Sequence, residues 1–409
     1  MKCATVDPHA LPPDIAALRD RLSAFLEGEL LPAERRENVI DATQANPALR
    51  RFAQTRSAEL GFYRLAQPVE LGGGRLGPLA LAALHEEIAR SQCALGGLVL
   101  GGDGGLLRMA SGAQRERFLL PALRGELTAA LAFTDAREGP RTTAVRRGEV
   151  FVVSGVKSFV TGGPQADLLL TVAKVTENPA GKTGTAVFVV RRDAPGVKLA
   201  SEIRTLDGGL HGEFELVNVE VPAADVLGEI GQGLPKALES ITALRLRAAA
   251  AACGTAWWTL DYALRQARRP HRTGVPLGER EQVQAMLGQS AMDLFAARGA
   301  LYAAARAAEA GDAETEVAMA KAIATEAVAR IVDRAIQLSG GAAVVEGHPL
   351  ARLYRRIRAW RIAEGTTEIL RLTVARRLLA ADPASPQPVP PQPVSPQPVS
   401  QGDPSHAPQ

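Results

Sequence analysis

The densest concentration of chemically able side chains lies near the C-terminal end, in Ile362-Ala-Glu364-Gly365-Thr366-Thr367-Glu368-Ile369. Gly365 breaks the preceding helical pattern, Thr366 can cap the next helix, and Glu368 falls in its first turn, where the backbone dipole favours a carboxylate. Glu364 therefore stands on a junction just ahead of a helix start. With no side chain at Gly365 to obstruct it, such a carboxylate can face a cleft and remove a proton from a bound molecule. The plain alternative is a helix-cap junction without chemistry, and on local pattern alone that alternative wins. Upstream lie Gln337-Leu-Ser-Gly340-Gly341 and a basic row at Arg352, Arg355, Arg356 and Arg358. The glycine pair reads as a helix C-cap and turn. The arginine row reads first as a solvated helix face with ion pairs, and second as a patch for phosphates.

Other chemistries find no support. Gly181-Lys182-Thr183 resembles the end of a phosphate loop, but Thr176 stands where its first glycine belongs, and the segment falls between two expected strands. Neither Gly72-Gly73-Gly74 nor the cluster at Gly101 to Gly105 spaces as a nicotinamide-type fingerprint. The six histidines are scattered, and no GxSxG elbow is present, so a hydrolase triad has no basis. Cys3, Cys93 and Cys253 lie far apart with no CxxC, which predicts no metal site, no disulfide framework and a reducing, cytoplasmic setting.

The chain that carries these residues has 409 positions, 46% hydrophobic and 22% charged, with a formal net charge of +3. That balance gives no electrostatic footprint for nucleic acid. No stretch approaches the length of a membrane span. From Pro12 to about Leu123, apolar residues such as Ile15, Leu18, Leu22 and Phe25 recur at helical spacing. Near Leu127 the texture changes to short β-rich runs at Glu149 to Val153, Leu168 to Val172, Ala186 to Val190 and Glu213 to Val221. After Gly231-Gln232-Gly233, long amphipathic segments return: about Pro235 to Ala267, Glu279 to Ala310, Glu314 to Leu338 and Thr366 to Ala381. The expected architecture is a multidomain α+β protein: an N-terminal helical domain (1–126), a β-barrel-like middle domain (127–230) and a C-terminal four-helix bundle (231–382). Residues 383–409 hold 10 of the 27 prolines and repeat Pro-Gln-Pro-Val, a composition expected to form a disordered tail.

The order helical, β, helical, with Gln-x-x-Gly-Gly and then Glu-Gly-Thr-Thr-Glu-Ile beginning 23 positions after Gly341, resembles the acyl-CoA dehydrogenase flavoprotein family. The resemblance runs from about residue 12 to 382. It is supported by Gln114-Arg-Glu-Arg-Phe-Leu-Leu-Pro121, Ala132-Phe133-Thr134-Asp135, Ser154-Gly155-Val156-Lys157-Ser158-Phe159-Val160-Thr161 and Val221-Pro222-Ala-Ala-Asp225-Val226-Leu227-Gly228-Glu229. It implies FAD as cofactor and α,β-dehydrogenation of an acyl thioester carried by coenzyme A or an acyl carrier. In that reaction the carboxylate matching Glu364 takes the α-proton while hydride passes to flavin N5. The family acidifies the α-C–H through hydrogen bonds to the thioester carbonyl, from the base's own backbone N–H and a flavin ribityl hydroxyl. Some relatives carry the base instead just before an arginine that corresponds to Arg245, but that position is Leu244 here, so Glu364 is the matching candidate. Arg245 and Gly365 are then expected on the substrate side.

By the same comparison Phe133, Thr134, Phe159 and Thr161 line the flavin, with Thr161 near N5 and Phe159 in place of the commoner tryptophan. Gln337, Gly340 and Gly341 match a turn that touches the dinucleotide of a neighbouring subunit, and Thr366 matches a contact to its adenosine half. These matches imply a homo-oligomer, dimer or tetramer, with an electron-transfer flavoprotein as possible electron acceptor. Two loops depart from the family pattern. Residues 136–141 read Ala-Arg-Glu-Gly-Pro-Arg where the family has Pro-Gly-x-Gly-Ser-Asp. Residues 268–274 contain an insertion, with Thr273 in the place of a phenylalanine. These departures leave open a carrier-bound acyl dehydrogenase, a flavin monooxygenase of the same fold, or an interaction protein that kept the fold and lost the flavin.

Overall fold

The computed structural model describes residues 11–380, apart from 68, 75, 138, 140, 180, 272 and 273. The proline-rich tail expected at 383–409 lies outside the described residues. The N-terminal part is helical: α1 (Pro13–Phe25), α2 (Leu31–Arg36), α3 (Pro47–Glu59), α4 (Pro78–Ser91) and α5 (Leu120–Arg124). Proline opens α1, α3 and α4, where its missing N–H costs nothing. The Asn46 side chain caps α3 by accepting from the Leu49 N–H at 2.8 Å. Leu22, Phe25, Leu26, Leu30, Phe62 and Leu84 close one core among these helices.

Eight strands follow: β1 (Ala129–Ala132), β2 (Thr143–Arg147), β3 (Val150–Thr161), β4 (Leu168–Glu177), β5 (Gly184–Arg191), β6 (Val197–Arg204), β7 (Leu210–Pro222) and β8 (Val226–Leu227). They form one sheet in the order β6-β7-β3-β2-β4-β5-β8, with β1 added parallel to β4. The sheet is rolled: Phe151 of β3 meets Phe188 of β5 edge-on at 5.3 Å, although two strands separate them in the order. Alternation along β3 and β7 sends Phe151, Val153, Phe214 and Leu216 into a core shared with Leu169, Ala173, Phe188 and Val190. Strands β4 and β5 are apolar on both faces, because their other face (Leu168, Leu170, Val187, Val189) packs on Leu107, Phe118 and Leu119.

The C-terminal part holds α6 (Gly233–Ala267), α7 (Glu281–Ala310), α8 (Glu314–Ser339), α9 (Pro349–Trp360) and α10 (Thr367–Ala380). Thus a shorter helix, α9, joins the four long ones expected from periodicity. The core between α6, α7 and α8 is built largely on alanine, including Ala249, Ala252, Ala256, Ala297, Ala304, Ala320, Ala324 and Ala327. Small side chains let these helix backbones approach closely. A close approach is at Gly254, where an added Cβ would lie 2.0 Å from the Glu86 carbonyl, so α4 is seated directly on α6.

Candidate functional site

Glu364 sits in the turn between α9 and α10. The Ile362 and Ala363 N–H groups both reach the Ala359 carbonyl, at 2.9 and 3.0 Å, closing α9. Thr366 then caps α10, its hydroxyl accepting from the Ile369 N–H at 3.3 Å. Between these two events the chain turns left-handed, with φ +52° at Glu364 and +101° at Gly365. For a residue with a Cβ the left-handed region costs about 1–2 kcal/mol, so the surroundings must hold it. Two helices do so. Arg245 of α6 donates through Nε to the Glu364 carbonyl at 2.8 Å, and Lys321 of α8 donates through Nζ to the Gly365 carbonyl at 2.7 Å. Gly365 is favoured there by its φ, and a Cβ would stand a tight 3.2 Å from the Arg245 guanidinium.

The Glu364 carboxyl is raised above the ordinary carboxylate range. Burial is the dominant cause and outweighs the opposing fields of Lys321, Arg245 and Arg247. Lys321 is fully buried and pulled down to about 8, again chiefly by burial. Arg245 is buried and has a distant ion pair with Glu314 at 3.8 Å. Leu244, one residue before it, is 38% exposed and brings no carboxylate. The turn thus presents a half-buried carboxylate of raised basicity on a backbone tied to two cations, an arrangement suited to removing a weakly acidic proton.

A second group forms at one end of the β domain. The Ser158 N–H donates to the Thr134 carbonyl at 2.9 Å, and the Lys157 amine donates to the Phe133 carbonyl at 3.0 Å, which brings Phe133 and Thr134 beside the end of β3. There the β3–β7 register slips between Lys157 and Val160, so β3 carries one extra residue. At this bulge Phe159 adopts φ +52° and stands 58% exposed. Thr161 is also exposed, its hydroxyl 3.1 Å from His211 Nδ1, and the His211 ring meets Phe159 edge-on at 6.1 Å. An aromatic ring held outward by a strained bulge, next to two exposed hydroxyls, fits a flat aromatic ligand such as the flavin ring.

Gln337, Gly340 and Gly341 lie at the end of α8, all exposed, with Gly340 at φ +67° closing the helix. None of them makes a hydrogen bond to the Phe159 group among the described residues. Arg356 corrects the reading of a uniform basic row: it turns inward, donating to the Gln92 side chain at 2.9 Å with its guanidinium 5.8 Å from the Trp360 ring centre. It is helix packing, because α9 buries Leu350, Leu353 and Ile357 and Arg356 flanks that stripe. Arg137 and Arg141 are exposed, while Glu138, Pro140, Arg272 and Thr273 of the two divergent loops lie outside the described residues. Sequence reasoning missed Lys321 and His211. Lys321 was findable, since it falls on the stripe Val317, Lys321, Ala324, Val328 that faces the bundle core. His211 was not, because only pairing of β3 with β7 sets it opposite Thr161.

The chain thus runs helical, sheet, helical, with a half-buried carboxylate on the turn between its last two helices, the arrangement that the family resemblance implies for a flavoprotein dehydrogenase. Comparison with known proteins agrees. The chain matches Acyl-CoA dehydrogenase, N-terminal domain over residues 12–126, the middle domain over 128–219 and the C-terminal domain over 231–379. Cyclohexane-1-carbonyl-CoA dehydrogenase of Geobacter metallireducens is 35% identical over 335 residues, covering 78% of this chain and 87% of that protein. The mitochondrial short-chain specific acyl-CoA dehydrogenase of Rattus norvegicus is 30% identical over 385 residues, covering 90% and 91%. A glutaryl-coenzyme A dehydrogenase structure with glutaryl-CoA superposes with a TM-score of 0.78 at 28% identity, covering 91% of this chain and 96% of that one. The chain belongs to the acyl-CoA dehydrogenase family. It is an oxidoreductase whose activity is FAD-dependent α,β-dehydrogenation of an acyl thioester.

Proposed function

We propose that Glu364 is the base of this reaction and removes the α-proton of the bound thioester. The observation that carries the proposal is the raised basicity of a half-buried carboxylate on a turn held by Arg245. An α-C–H beside a thioester is a weak acid, so a desolvated carboxylate matches it better than a solvated one. The N–H of Glu364 would donate to the thioester carbonyl, where charge develops as the proton leaves. Gly365 leaves the substrate side open. Phe133, Thr134, Phe159 and Thr161 would hold the isoalloxazine, and Gln337, Gly340, Gly341 and Thr366 would meet the dinucleotide of a second subunit. FAD supplies the hydride acceptor.

Retention of Glu364 favours dehydrogenation over monooxygenation. The thioester carrier is coenzyme A or an acyl carrier's pantetheine, and electrons leave to an electron-transfer flavoprotein. The protein acts as a homo-oligomer in a reducing compartment, the cytoplasm, where Cys93 and Cys253 stay free. Among the described residues no helix is long and apolar enough to cross a membrane.

The test is anaerobic mixing of the yellow holoprotein with a panel of acyl thioesters. Bleaching of the flavin by at least one of them is expected, reduced about a hundredfold or more in Glu364→Gln with FAD content unchanged. Bleaching at the parental rate in that variant would remove Glu364 from the reaction. Oxygen use driven by a nicotinamide, with no bleaching by any thioester, would select the monooxygenase.

A further inference from the structure

We propose that Lys321 is a positioning residue for proton abstraction: by gripping the Gly365 carbonyl from α8 while Arg245 grips the Glu364 carbonyl from α6, it sets the direction of the Glu364 carboxylate. This deepens the reading of Glu364 as base and rests on it.

Lys321 is an odd residue for a bundle core. It is fully buried on the face of α8 that otherwise carries Val317, Ala320, Ala324 and Val328. Its ammonium has three N–H donors. Among the described residues it makes one hydrogen bond, to the Gly365 carbonyl at 2.7 Å, and no ion pair. Burying a charge with so little compensation is unfavourable, and an apolar side chain of similar length would serve packing better. The compensation is therefore to be sought in what the bond does.

It acts at Gly365, where no side chain of the residue's own restricts the backbone. Gly365 has no Cβ to restrict it and sits at φ +101°, next to Glu364 at +52°. Each peptide is planar, so fixing the carbonyls of two successive residues fixes the rotations between them. Arg245 alone fixes one peptide and leaves the next able to rotate about glycine. Lys321 fixes that next one, so the two bonds together hold the Gly365 torsions that join the Glu364 peptide to α10. The two anchors come from different helices, 119 and 44 residues away in sequence. The charge matters as well. The groups facing the ammonium are Glu364 on the turn, Arg245 from α6, Glu326 on its own helix and Glu368 of α10. Those facing Glu364 are Lys321, Arg245 and Arg247.

Lys321→Met removes donor and charge while keeping length and suiting a buried site; Lys321→Gln restores N–H donors without the charge. Both are purified as holoprotein, and FAD content, thermal midpoint and the dissociation constant of a non-reacting thioester analogue are measured first. With these unchanged, anaerobic bleaching by a saturating acyl-CoA is expected to slow roughly ten- to a hundredfold in Lys321→Met, the scale of a small misplacement of a reacting group. Its acid limb is expected to move to higher pH, because a cation that favours the Glu364 carboxylate is gone. Lys321→Gln is expected to recover part of the rate well above that limb, with the limb still displaced. The proposal is overturned if both variants bleach within twofold of the parent at an unshifted limb, or if every loss follows loss of FAD or of fold. Glu364→Gln, run alongside, separates the two failures: if it bleaches normally the base assignment falls, and if it is inert while Lys321→Met is normal only the positioning role falls.

Discussion

At Glu364 three cations and one desolvating environment pull in opposite directions, and desolvation wins. A carboxyl raised in the folded state favours folding when protonated. That contribution is fully present below the ordinary carboxylate range and is lost as pH rises through the raised value. Above it, folding must keep a charged carboxylate partly out of water. Glu364→Gln, which mimics the protonated form, is therefore expected to melt at a higher temperature than the parent at about pH 8, with the difference vanishing by about pH 4. Equal midpoints at both pH values would show that the site stores no such cost. The candidate itself was legible in the sequence, since Gly365 and Thr366 announce a helix junction and Glu364 precedes them. Its basicity was not, because burial comes from the packed fold and the cations that oppose it, Lys321, Arg245 and Arg247, are far away in sequence.

Among the elements, the junction of α4 with α6 and α7 carries a buried, charged cluster. Arg298 of α7 donates to both carboxylate oxygens of Glu86 on α4, at 2.7 and 3.1 Å, and the Tyr302 hydroxyl donates to the same carboxylate at 2.6 Å. Arg298 is fully buried and Glu86 nearly so, and the guanidinium lies 4.2 Å from the Trp257 ring centre on α6. Removing one member leaves a buried charge without its counterpart, which costs about 3–5 kcal/mol. Glu86→Gln is expected to lower stability by that order in urea titration, while flavin bleaching by the folded fraction stays near the parental rate. A loss below about 1 kcal/mol would mean that this cluster does not hold α4 to the bundle. Helix and strand textures were visible in the sequence because local spacing carries them. A barrel-like middle domain was expected, but its strand order was not legible, since β2 pairs with β3 locally but parallel with β4, and β3 pairs across some 60 residues with β7.

Across the whole molecule, apolar surface is exposed at two places, one of them beside the turn that the family resemblance assigns to a neighbouring subunit's dinucleotide. Val344 and Val345 are 68% and 61% exposed just beyond Gly341. A groove between α8 and α10 is lined by Met319, Ile323, Leu370, Val374 and Leu378. Patches of this kind on one chain mark contact sites. The parent is expected to sediment as a dimer or tetramer. Ile323→Asp and Val345→Asp are expected to shift it toward the monomer, and Val345→Asp is expected to release FAD on dilution, since it disturbs the turn at Gln337. A monomeric parent that keeps its flavin at nanomolar concentration would sink this reading.

Spacing alone determined the order of helical and β-rich segments, the cap at Thr366 and the glycine break at Gly365, because each depends on residues within a turn or two; it was the family resemblance that pointed to Glu364. Tertiary structure decided the rest. Arg245 and Lys321 reach the active turn from helices 119 and 44 residues away, and His211 meets Thr161 across a strand pair. Burial and electric field fall off with distance in space rather than along the chain, so the basicity of Glu364 and the frame that aims it exist only once α6, α8 and α10 are packed together.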